Sequence, residues 1–100
     1  MKKKIAKDFE RAHVFYSGRV QGVGFRYTAE SLALDLGLRG WVKNTPDGRV
    51  ELVCEGRKES IERFFLRVQG SLLGPHIKKT DVRWEPARHE FSDFRVEFNL

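Results

Sequence analysis

Only one cysteine, Cys54, occurs in the 100 residues, so no disulfide can close within the chain and a reducing compartment is expected. Equally missing is any apolar run near the roughly 20 residues that cross a bilayer. Met1-Lys2-Lys3-Lys4 leads into Ile5, Ala6, Lys7 and Asp8 with no apolar segment of signal-peptide length. Secretion and membrane insertion therefore have no support, and a cytoplasmic location is the expectation. His13, His76 and His89 are scattered, and no Ser-His-Asp or Cys-His grouping gathers around Cys54, so neither a zinc site nor a nucleophilic triad is indicated. Metal and cofactor are both expected to be absent. Low-complexity stretches and sequence repeats are lacking too.

What is present is ordinary for one globular domain: 40% hydrophobic and 33% charged residues, enough for a single modest core. The formal charge of +5 is unevenly spread. Lys2, Lys3, Lys4, Lys7 and Arg11 against Asp8 and Glu10 give +3 in the first 11 positions, leaving +2 elsewhere. Residues 1–10 are expected to form a basic, solvated and flexible tail, and residues 11–100 the domain. A general attraction for anions is as much as this charge supports.

The segment Gly18-Arg19-Val20-Gln21-Gly22-Val23-Gly24-Phe25-Arg26 is the richest in chemical content. Glycine enters φ > 0 without steric cost, so successive N–H groups can converge, and a helix starting beside Arg26 adds unpaired amides. That is a cradle for an anion such as phosphate. A P-loop would close on Gly-Lys-Ser/Thr where this chain has Phe25-Arg26-Tyr27, and the dinucleotide fingerprint would need glycine where Tyr27 stands. On spacing alone, a plain glycine-rich turn between strand and helix fits equally well.

Arg11 to Ser17 reads as a first strand. Ala29, Leu32, Ala33 and Leu36 then fall on one helical stripe, with Gly37 in the C-terminal cap position. Leu38 to Asn44 and Arg49 to Glu55 are strands joined by Thr45-Pro46-Asp47-Gly48 as a hairpin turn. Ile61, Phe64, Phe65 and Val68 form a second helical stripe, stopped at Gly70. Strands near Lys78 to Glu85 and Phe94 to Phe98 follow. The order is β-α-β-β-α-β plus a terminal strand, an α+β ferredoxin-like sandwich with two helices on one face of an antiparallel sheet. Cys54, alternating with Leu52 and Val50, reads as a buried apolar filler, and Trp41 and Trp84 as packing residues.

The glycine loop, the block Gly40-Trp41-Val42-Lys43-Asn44-Thr45, the pair Asp47-Gly48, Gly74-Pro75 and the ending Phe-Arg-Val-Glu-Phe together resemble the acylphosphatase family over residues 11–99. The resemblance implies hydrolysis of a small-molecule acyl phosphate to carboxylate and inorganic phosphate, and a monomer is the default expectation. It implies that Arg26 and the backbone at Gln21, Gly22, Val23 and Gly24 bind the phosphoryl group. It further implies that Asn44 orients the attacking water and that Thr45 helps hold the asparagine. Gly24 stands where an aromatic residue occurs in some relatives. Arg19 and Lys43 are read as surface residues.

Two other readings compete with the enzyme. A nucleic-acid-binding module of the same architecture would carry an RNA motif on the third strand, which here reads Val50-Glu51-Leu52-Val53-Cys54-Glu55 with acid on one face, so nucleic acid is not an expected partner. A catalytically silent regulatory or carbamoyl-handling domain is the other, since this fold also heads larger maturation proteins.

Overall fold

A computed structural model describes residues 8–98. Strand β1 (Phe9–Gly18) leads through the glycine loop into helix α1 (Phe25–Asp35). Then come β2 (Arg39–Asn44), β3 (Val50–Arg57), helix α2 (Lys58–Gly70), a short 3-10 turn (Gly74–His76), β4 (Ile77–Pro86) and β5 (Phe94–Val96). The sheet order is β4-β1-β3-β2-β5. Phe9 and Glu10, expected in the tail, pair with Arg57 and Gly56 and belong to the sheet. The rest of the expected tail, residues 1–7, lies outside the described residues.

Alternation sorts the sheet into two faces. Ala12, Val14 and Tyr16 of β1 and Val50, Leu52 and Cys54 of β3 are buried in one core with Ala29 and Ala33 of α1 and Ile61, Phe64 and Val68 of α2. Leu32, Leu36 and Phe65 flank that core half-buried. Cys54 is fully buried, and desolvation by that burial pushes its thiol up to about 12. Trp84 is the exception among the expected packing residues: it stays 39% exposed, meeting the Phe65 ring edge-on at 6.1 Å.

Helix α1 ends as its glycine requires. Gly37 takes φ 71°, its amide donates to the Leu34 carbonyl, and the Leu38 amide reaches back to Ala33 at 2.9 Å. In α2 Gly70 is the last helical residue rather than a left-handed cap. Ser71 turns the chain instead, its hydroxyl donating to the Val68 carbonyl at 2.7 Å.

β1, β3, β2 and β4 pair antiparallel, as expected. β5 lies parallel to β2, with Gly40 opposite Phe94 and Val42 opposite Val96, so the five-stranded sheet is mixed. A parallel partner demands a crossover, and residues 87–93 supply it, leading from β4 at one edge of the sheet to β5 at the other. That crossover is latched to the face away from the helices. The Arg88 and His89 amides donate to Glu55 at 2.7 and 2.9 Å, Arg11 donates to Glu55 and to Glu90, and the Arg11 guanidinium lies over Phe91. β2 and β5 then run together toward the end of the sheet that carries the glycine loop.

Candidate active site

The loop between β1 and α1 turns twice through left-handed backbone, at Gly22 (φ 80°) and Gly24 (φ 77°), a region closed to most side chains. Gly24 is the N-cap of α1, and having no side chain it puts nothing between the first helical amides and solvent. The first turn of α1 holds no acidic residue, and Arg26 is its second member. The positive end of a helix disfavours a cation. Arg26 therefore occupies a place whose electrostatics favour an incoming anion.

From the opposite side, β2 ends at Asn44, paired with Val50. A cavity of about 250 Å³ is lined by Val20, Gly22, Gly24, Phe25, Arg26, Tyr27 and Asn44. Four of the seven site residues expected from the sequence thus meet in one space: Gly22, Gly24, Arg26 and Asn44.

Gln21, Val23 and Thr45 stand behind that wall. Val23 packs half-buried against the core. Gln21 was read as a backbone position, yet its side chain does the visible work: Nε2 donates to the carbonyls of Thr45 and Arg49, each at 2.8 Å. It straps the glycine loop to the β2–β3 turn. Thr45 organises that turn, its hydroxyl donating to Asp47 Oδ1 and accepting the Arg49 amide at 3.1 Å. The Thr45 hydroxyl, followed by the Arg49 amide and guanidinium, holds the Asp47 carboxyl below its usual value.

Tyr27 and Phe98 border the site without having been singled out beforehand. Tyr27 lines the cavity and is 57% exposed, while the Phe98 ring centroid lies 4.8 Å from Cζ of Arg26. The place of Tyr27 next to Arg26 on a first helical turn was a usable signal. Nothing local in the sequence announces the contact of Phe98, 72 positions further on. Among the described residues no three His, Cys, Asp or Glu side chains gather as metal ligands do, and no helix is long and apolar enough to cross a membrane.

Comparison with known proteins yields one family. The acylphosphatase family model matches residues 12–96. An acylphosphatase of Roseiflexus sp. (strain RS-1) is 42% identical over 89 residues, covering 89% of this chain and 96% of its own. The crystal structure of acylphosphatase from Bacillus subtilis superposes with a TM-score of 0.81 at 32% identity, covering 88% of this chain and 98% of that one. An acylphosphatase structure from Coxiella burnetii gives 0.77 at 37% identity over 96% of this chain and all of its own.

Proposed function

This chain belongs to the acylphosphatase family and is an enzyme that hydrolyses acyl phosphates; from that premise we propose that Arg26 and the loop amides hold the phosphoryl group while Asn44 aims water at it. The observation that carries the assignment is the single cavity shared by Gly22, Gly24, Arg26 and Asn44.

The chemistry asks for little more. The leaving group is a carboxylate, whose conjugate acid has a pKa of about 4 to 5, so it departs at neutral pH without receiving a proton. What remains is to hold a dianion, spread its developing charge and place water in line with the breaking bond. The Arg26 fork of N–H donors stays charged and matches phosphoryl oxygens better than the point charge of a lysine. Asn44 offers a carbonyl acceptor and an amide donor without ionising. Water oxygen bonds to phosphorus as the phosphorus–acyl oxygen bond breaks, and the water proton passes to the phosphoryl oxygens of the substrate itself. Gln21 and Thr45 keep loop and turn in register, and Val23 anchors the loop to the core. No metal is required, since the guanidinium and amides meet the charge.

The same reading places a monomer in a reducing cytoplasm, which suits a lone thiol, with inorganic phosphate as product. Hydrolysis of benzoyl phosphate in the presence of a chelator tests it. Wild type should turn over undiminished, and Asn44→Ala should lose about a hundredfold in kcat while inorganic phosphate binds nearly as before. Loss of phosphate affinity with turnover intact would reverse the role given to Asn44.

A further inference from the structure

Five cations lie over aromatic rings among the described residues, and Arg26 differs from the other two arginines in what else it meets. Arg11, Lys43 and Arg49 each lie over an aromatic ring and each also has a carboxylate partner: Arg11 with Glu55, Lys43 with Glu51, Arg49 with Asp47. Arg26 has the Phe98 ring at 4.8 Å and, among the described residues, no carboxylate within ion-pair distance. Lys58, over Trp84 on another part of the surface, has no carboxylate partner among those residues either. A carboxylate would take the N–H donors that lie in the guanidinium plane. A ring over the guanidinium face attracts the cation and leaves those donors free.

The fold brings Phe98 there by a definite route. Val96 is in parallel register with Val42, and the Glu97 amide donates to the Val42 carbonyl at 2.8 Å. Asn44, the last residue of β2, and Phe98, two residues past the end of β5, each lie two residues beyond that paired position. Phe98 gains little from burial, being 58% exposed. Its place is accounted for by what lies beneath it.

We propose that Phe98 is a positioning residue for the phosphoryl-binding arginine: its ring fixes the face of the Arg26 guanidinium so that the edge is presented to the phosphoryl oxygens. This rests on the role given to Arg26 above. The segment that follows β5 thereby sets the geometry of the phosphate site from the β2 side.

The test compares wild type, Phe98→Leu and Phe98→Tyr, measuring inorganic phosphate affinity by calorimetry, kcat and KM with benzoyl phosphate, and the thermal midpoint. Leucine keeps an apolar bulk and removes the π face; tyrosine keeps the face. Phe98→Leu should weaken phosphate binding and raise KM about two- to fivefold, with kcat less affected. Phe98→Tyr should restore both, and the three midpoints should coincide. Phosphate affinity in Phe98→Leu equal to wild type overturns the proposal, as does a loss that tracks a fallen midpoint or that tyrosine fails to rescue. Arg26→Ala separates the two readings: undiminished phosphate binding there removes the assignment of Arg26 itself, whereas its loss beside a neutral Phe98→Leu removes only the role of Phe98.

Discussion

Two arginines at opposite ends of the sheet are treated in opposite ways. Arg11 is 7% exposed and ringed by acids, with Glu55 and Glu90 at 3.0 and 3.1 Å from Nη1 and Glu85 at 3.2 Å from Nε. Arg26 is half-buried and faces a ring, a helix N-terminus and a cavity. Gly18 stands seven positions after Arg11 along β1, roughly 23 Å of extended chain. The same functional group is surrounded by three carboxylates at one end and kept available at the other. A structural arginine has its charge spent inside the fold, and an anion-binding one must keep it unspent.

Removing each charge should expose that contrast. The largest effect is expected from Arg26→Ala: kcat/KM for benzoyl phosphate should fall about a thousandfold or more, with the thermal midpoint nearly unmoved. Equal losses of activity and stability would erase the distinction. Next comes Glu55→Gln at the other end, where the carboxamide keeps one acceptor oxygen and turns its NH2 donors toward one of the two amides, Arg88 or His89, that now donate to separate carboxylate oxygens. The cost should be about 3 kcal/mol, a fall of roughly 10–20 °C in the midpoint, with the folded fraction fully active below the transition. Gln21→Ala sharpens the picture of the active end. Loss of two hydrogen bonds should cost about 1–2 kcal/mol and raise KM as the loop is freed, which steady-state kinetics and calorimetry together would register.

Acid should divide the two ends with the smallest effect. Burial alone would raise the Glu55 pKa, but the Arg88 amide, the Arg11 guanidinium and the His89 amide outweigh it and hold the value below 4.5. A carboxylate lowered in the folded state contributes stability that is fully present above the unfolded value and fades as pH falls through the folded one. The thermal midpoint should therefore decline below about pH 4.5, and Glu55→Gln should flatten that decline.

The family resemblance singled out four residues that the structure brings to one cavity, Gly22, Gly24, Arg26 and Asn44, where local spacing alone left a plain glycine turn equally open. The glycine loop, the arginine on the next helix and the asparagine before a turn all fall between positions 18 and 44 and make up two compact sequence blocks. The helical stripes were readable because Ala29 to Leu36 and Ile61 to Val68 each complete a repeat within eight residues. The other end was not. Arg11 counts as one more tail charge until Glu55, 44 positions away, and Glu90, 79 away, are brought against it. β5 was foreseen as a strand but not as a parallel one, because alternation has the same period in either direction. Gln21 was assigned to the loop by position, while the purpose of its side chain depends on carbonyls 24 and 28 residues later.

Cys54 has a practical consequence. Its thiol sits at the centre of β3 with no exposed surface and with its ionisation pushed to about 12, so an alkylating reagent meets no reactive sulfur while the sheet stays closed. Each labelling event then records an opening of the core, and the protein carries its own single-copy clock for unfolding, readable by mass without adding a probe.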